Sequence, residues 1–193
     1  KEDDSSVPTP DGVWEYYTRY ETGAQHPFYC RRPRGKTDGE QILLDAVALA
    51  KGKAFSEVGA VAHSPDHTLF AYAEDAQGSE VYKIYVKDLA TGQILPGPVE
   101  DTYADFTFSP DSKWLFWTHR DENGRPDKIF RRPARGGAGS DVLVYHEQDE
   151  GFFIGVATLA ADTFIAIGCG NQETSEVRLI PAADPTATPF VVE

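Results

Sequence analysis

The stretch Ser64-Pro65-Asp66-His67-Thr68-Leu69-Phe70-Ala71-Tyr72 decides the fold, because the chain repeats it. Ser109-Pro110-Asp111 recurs at an offset of 45 and leads into a second apolar run, Trp114-Leu115-Phe116-Trp117. In each copy Pro presets φ for the second turn position and Asp caps the turn with its own side chain, so the tripeptide joins one strand to the next. A second echo is longer. Arg31-Arg32-Pro33 returns as Arg131-Arg132-Pro133, an offset of 100. About ten residues beyond each Pro stands a short apolar run, Ile42-Leu43-Leu44 or Val142-Leu143-Val144.

Together the echoes give about four units of roughly 40 to 50 residues, the period of β-propeller blades. They span about 13–45, 58–95, 103–145 and 152–192. Within the second unit, strands are predicted over 58–63, 69–74, 81–87 and 93–95. There Tyr82, Ile84 and Val86 alternate with Val81, Lys83 and Tyr85, a period of two that marks a strand and not a helix. Thr91-Gly92 and Asn123-Gly124 predict tight turns, with Gly supplying positive φ. The expected fold is all-β: a partial propeller of four-stranded antiparallel blades. The Ala-rich stretch from Asp45 to Phe55, with Asp as N-cap, predicts a short helical connector. Residues 1–12 are polar and Pro-bearing and predict a loosely held lead-in.

Composition bounds the function. Against 18 Lys and Arg stand 31 Asp and Glu, a net charge of −13. Such a surface repels nucleic acid and anionic lipid and attracts cationic peptides. Hydrophobic residues make up 40% of the chain, with 9 Tyr, 11 Phe, 3 Trp and no Met, which suits rigid β-layers. Cys30 and Cys169 fit no zinc or disulfide spacing, so reduced thiols in a cytoplasmic protein are expected. No apolar run approaches the ~20 residues of a membrane span, and no basic-then-apolar signal segment opens the sequence. The chain begins Lys1-Glu2-Asp3-Asp4 without an initiator Met, as a fragment or processed chain does.

No active-site signature emerges. None of the nine serines stands in Gly-x-Ser-x-Gly. Ser140, after Gly136-Gly137-Ala138-Gly139, lacks the trailing Gly and predicts a hairpin loop. That Gly cluster is followed by no Lys-Ser/Thr and is a poor phosphate loop. The histidines at 26, 63, 67, 119 and 146 are scattered among turns and strand ends, and no metal is expected on them. The clusters Arg31-Arg32-Pro33-Arg34-Gly35-Lys36 and Arg131-Arg132-Pro133-Ala134-Arg135 predict a solvated loop after the third strand, or contact with an acidic partner surface. Asp121, Glu122, Asp149, Glu150, Glu173 and Glu176 are expected in loops, from which some could line a channel.

Several stretches resemble the oligopeptidase B (protease II) branch of the prolyl oligopeptidase family of serine peptidases. They include Leu43-Leu44-Asp45, Gly59-Ala60-Val61-Ala62-His63-Ser64-Pro65-Asp66 and Ala71-Tyr72-Ala73-Glu74-Asp75. Val86-Lys87-Asp88-Leu89-Ala90-Thr91-Gly92 follows, then Thr174-Ser175-Glu176-Val177-Arg178-Leu179 leading to Pro189-Phe190-Val191. The matches keep family order from about residue 13 to 193; the Thr-Ser-Glu-Val-Arg-Leu segment is the most specific and Ser-Pro-Asp the least. The resemblance implies a seven-bladed propeller joined to an α/β-hydrolase domain with a Ser-Asp-His triad. It further implies cleavage of short peptides after Arg or Lys, with the propeller excluding folded proteins. On that comparison the chain covers about the first half of the ring and the hydrolase domain is absent. No catalytic, cofactor-binding or metal residue is assigned, and the chain alone is expected to be inactive. The implied partners are the hydrolase domain of the same parent chain and short basic peptides. A half ring leaves two blade faces open to water, so self-association is expected. The alternatives are a stand-alone propeller serving as a protein-interaction scaffold and a fragment of another propeller peptidase.

Overall fold

The computed structural model describes residues 4–192, and the chain divides near residue 57 into two compact units. The first holds β1 (Asp4–Ser5), β2 (Thr9–Asp11), β3 (Trp14–Tyr20), β4 (Phe28–Pro33) and β5 (Gln41–Asp45) in one antiparallel sheet. β4 lies between β3 and β5, while β1 and β2 both pair with the other edge of β3. Asp4–Ser5 and Thr9–Asp11 of the lead-in are therefore strand-paired; residues 1–3 lie outside the described residues. The physical reason is the backbone of β3, whose edge needs partners. The Thr18 N–H donates to the Ser6 hydroxyl at 2.9 Å, and the Ser6 N–H donates to the Thr18 carbonyl at 2.8 Å. The predicted connector is α1 (Ala46–Ala50), capped by Asp45, whose Oδ1 accepts the Ala48 N–H at 2.9 Å.

The second unit contains a seven-stranded and a four-stranded antiparallel sheet. The larger runs through β6 (Glu57–His63), β7 (Leu69–Asp75), β8 (Tyr82–Asp88), β9 (Val99–Phe108), β10 (Trp114–Arg120), β11 (Pro126–Pro133) and β12 (Val142–His146). The smaller holds β13 (Phe153–Thr158), β14 (Phe164–Gly170), β15 (Ser175–Pro181) and β16 (Phe190–Val191). The larger sheet is two blades sharing β9. Val99 and Thr102 pair with Ile84 and Tyr82, whereas residues 102–108 pair with β10. The change of partner falls beside Asp101, whose φ of 53° turns the chain from one blade into the next. The fourth strand predicted at 93–95 is thus reduced to a single bridge, Lys87 to Ile94, and its work passes to the start of β9.

Alternation along β10 explains how the blades stack. Leu115 and Trp117 pack with Leu69, Ala71, Ala73 and Ile84 of the preceding blade. Phe116, from the opposite face, packs with Ile154, Val156, Ile165 and Ile167 of the following one. Small Ala side chains face a Trp on one side, and β-branched chains surround a Phe on the other, so complementary sizes leave Leu115, Phe116 and Trp117 buried. The far face of the last blade has no such cover. Phe153, Val177 and Phe190 remain 66%, 40% and 47% exposed.

The Arg-Arg-Pro echo proves to be internal. Trp14 is in register with Pro33 and Trp114 with Pro133. Arg31 stacks over Trp14 at 4.0 Å and Arg131 over Trp114 at 5.6 Å; Arg32 and Arg132 stack over Tyr17 and Trp117 at 5.0 and 5.2 Å. Arg132 also ion-pairs with Asp141 at 2.7 Å and donates to the Gly97 carbonyl at 2.5 Å, while Arg32 pairs with Glu15 at 2.6 Å. These arginines lie in β4 and β11 and not in solvated loops, because each guanidinium rests on an aromatic face, with a carboxylate added for Arg32 and Arg132 and the Gln41 amide for Arg31.

Replacing Arg132 by Ala is expected to lower stability in urea by about 1–3 kcal/mol, since it leaves the Gly97 carbonyl without its donor and bares Trp117, whereas Lys36→Ala at an exposed position shifts it by less than about 0.5 kcal/mol. Light scattering should show concentration-dependent association, reduced by a Phe153→Ser, Phe190→Ser pair; a stable monomer at high concentration would count against an adhesive blade face.

Candidate functional site

The hairpins between the second and third strands of the three blades in residues 58–192 share one construction. An Asp or Asn follows or ends the middle strand and gathers backbone N–H groups of the turn. Asp75 Oδ1 accepts from Gln77 and Gly78, both at 2.9 Å, and its Oδ2 accepts from Glu80 at 2.8 Å. Asp121 Oδ1 accepts from Asn123 at 2.9 Å and Arg125 at 2.8 Å. Asn171 Oδ1 accepts from Glu173 and Thr174, both at 2.8 Å. Burial opposes ionisation of Asp75, but its four backbone donors outweigh that and hold its pKa below the ordinary value.

Two arginines tie this end of the blades together, Arg120 to the β7–β8 hairpin and Arg125 to the β12–β13 connection. Arg120 donates to the Glu80 carbonyl at 3.1 Å. Arg125 donates to the carbonyls of Glu147 and Asp149 at 2.9 and 2.5 Å. Both engage backbone oxygens, which leaves neighbouring carboxylate charge uncancelled by these contacts. A cleft of about 270 Å³ is lined by Glu74, Lys83, Glu100 and Asp101, and one of about 280 Å³ by His119, Arg120, Asp121 and Glu122. Val81 and Asp101 belong to both, so the clefts adjoin. Lys83 bridges Glu100 at 3.1 Å. The remaining balance is negative: a surface arranged to draw cations, with no nucleophile–base pair on it.

Comparison with known proteins accords with this architecture. The family described as "Prolyl oligopeptidase, N-terminal beta-propeller domain" matches residues 1–193. The chain belongs to that family. It is 36% identical over 201 residues to Dipeptidyl aminopeptidase BI of Pseudoxanthomonas mexicana, covering 96% of this chain and 28% of that protein. It is 28% identical over 186 residues to Protease 2 of Moraxella lacunata, covering 93% and 27%. Oligopeptidase B from Leishmania major superimposes with a TM-score of 0.93 at 31% identity, over 100% of this chain and 28% of that one. The chain therefore spans between a quarter and a third of the length of these peptidases.

Within this propeller the other sequence-predicted residues fall as follows. Ser140 lies between β11 and β12 and donates to the Gly137 carbonyl at 2.6 Å, remote from any strand-to-helix turn. Asp121, Glu122, Asp149, Glu150 and Glu173 are in loops as expected, but Glu176 lies in β15, where its neighbour Val177 faces outward. Cys30 and Cys169 are buried free thiols. Burial, and then the Glu147 carboxylate that Cys169 meets at 2.9 Å, push the Cys169 thiol up to about 11, which keeps it protonated and unreactive at neutral pH. His119 Nδ1 sits 2.7 Å from Asp127 Oδ1, and the rings of His63 and His67 stack. No helix among the described residues is long and apolar enough to cross a membrane. Sequence reasoning missed Glu100 and Asp101 as members of the acidic surface. They follow a Pro-Gly-Pro run that reads as plain loop, and only the bend in β9 carries them to the hairpin end.

Asp75→Asn is expected to destabilise the protein by about 1–2 kcal/mol at pH 7. Because the native pKa is depressed, that contribution is complete above the ordinary carboxylate pKa and vanishes as pH falls through the native one. Denaturation of both proteins from pH 7 to pH 2 should therefore show their difference shrinking only below about pH 4.

Proposed function

We propose that this chain is the non-catalytic propeller portion of a serine oligopeptidase that cleaves short peptides after Arg or Lys. In this reading its blades form part of one ring that filters substrates by size. The nucleophile, base and oxyanion hole are supplied by an α/β-hydrolase domain of the same parent chain. The observation that carries the reading is the carboxylate surplus around the two adjoining clefts, where Glu74, Glu100, Asp101, Asp121 and Glu122 outnumber Lys83 and Arg120. Clefts with apolar walls and one sign of charge focus their field, which raises the local concentration of peptides bearing Arg or Lys and disfavours anionic ones. The same field, with the net charge of −13, makes nucleic acid and anionic membranes poor partners. The peptidase names of the relatives support a peptide substrate.

Fluorescence anisotropy with labelled short peptides tests this. An Arg-containing peptide should bind the chain more tightly than its Glu counterpart and weaken as ionic strength rises from about 10 mM to 1 M. The triple variant Glu100→Gln, Asp101→Asn, Glu122→Gln should lose most of that preference. Equal binding of both peptides, or no salt dependence, would overturn the electrostatic role.

A further inference from the structure

We propose that His63 and His67 form a binding site for a late first-row divalent cation, with Zn²⁺ as the working probe. The two residues flank Ser64-Pro65-Asp66, the turn between β6 and β7. Their imidazoles are half-buried and nearly parallel, with centroids 5.3 Å apart and planes 15° from one another. A ring nitrogen of one lies within 4.8 Å of a ring nitrogen of the other. Two nitrogens bound to one Zn²⁺ at ~2.1 Å stand at most ~4.2 Å apart, so little side-chain adjustment separates the observed pair from a chelating one.

The turn presents the pair on a rigid base. Ser64 Oγ donates to Asp66 Oδ1 at 2.6 Å and accepts the Leu69 N–H at 2.9 Å. The His67 N–H donates to the Ser64 carbonyl at 2.8 Å, and the Asp66 N–H donates to Ser112 Oγ at 2.9 Å. The next blade shows that the fold itself requires neither histidine. Its matching turn, Ser109-Pro110-Asp111, repeats the Ser-to-Asp bond at 2.6 Å, with Phe108 and Ser112 where His63 and His67 stand. Ser112 and His67 even share a φ of 63°. A positive φ on a side chain as large as His67 is uncommon. The turn tolerates it while gaining two imidazoles on one side, the ligand type that suits Zn²⁺, Ni²⁺ and Cu²⁺. The two imidazoles would supply two of the ion's ligands, and a bound ion would brace the turn that Asp66 ties to Ser112 of the following blade. This inference is independent of the peptidase reading.

The test is Zn²⁺ titration of the intact chain by calorimetry, alongside His63→Phe and His67→Ser, each installing the residue the next blade uses. The chain should bind one Zn²⁺ saturably and melt at a higher temperature with it. Each variant should weaken binding by at least the roughly 10- to 100-fold that loss of even an outer-shell partner causes. A His26→Ala, His146→Ala control should bind as before. Imidazole NMR of the unsubstituted chain gives a readout that needs no variant: Zn²⁺ should shift the His63 and His67 resonances and leave those of His26, His119 and His146 in place. Absence of saturable binding, retention of full affinity in both variants, or shifts confined to the other histidines would overturn the assignment.

Discussion

The blades of residues 58–192 carry apolar faces, and stacking covers those that meet a neighbour, while the far face of the last blade stays open. A strand alternates its side chains, so β10 cannot bury Leu115 and Trp117 without turning Phe116 the other way. One neighbouring blade satisfies half of that strand and a second is needed for the rest. The interfaces work because sizes are complementary: Ala71 and Ala73 admit Trp117, itself stacked on Phe130 at 5.9 Å. Once blades stack in this way, their second hairpins emerge side by side. Arg120 can then bridge to the preceding blade's hairpin while Arg125 holds the connection into the following blade, and the acidic surface is a consequence of blade stacking.

The treatment of positive charge follows from the same packing. A chain with few basic residues places several of its arginines on aromatic faces, over Trp14, Tyr17, Trp114, Trp117 and Tyr145. There the guanidinium keeps its charge and covers apolar surface with its stem, and Arg32, Arg132 and Arg178 also meet a carboxylate. Cations used internally do not neutralise the outside. The carboxylates at the hairpin ends therefore act in concert, which is the physical basis for attracting cationic peptides.

Much of this was legible in the chain. Ser-Pro-Asp at 64 and 109 announced two equivalent turns, and the structure gives both the same Ser-to-Asp hydrogen bond. The Arg-Arg-Pro echo was equally visible, yet its meaning was inverted: runs of Arg read as solvated because sequence carries no record of the aromatic face each one meets. The fourth strand of the second blade was misplaced for a related reason. Gln93-Ile94-Leu95 has the composition of a strand, but β8 finds its partner further on, past Pro96 and Pro98. The histidines read as scattered, although His63 and His67 stand four residues apart; only the folded proline turn brings their rings together.

The sequence by itself determined the local units: period-two strands, turns preset by Pro, Asp and Gly, a short helix capped by Asp45, and a surplus of acid. Each depends on backbone torsions and side-chain chemistry within a few residues, which sequence order records directly. Only the tertiary structure decided that β9 serves two blades by turning at Asp101, that Arg31, Arg32, Arg131 and Arg132 pack on aromatic faces while Arg34, Lys36 and Arg135 stay exposed, and that Glu100, Asp101 and Glu122 share a surface. Those outcomes depend on which distant side chains meet when sheets stack, and packing between faces leaves no local trace in the chain.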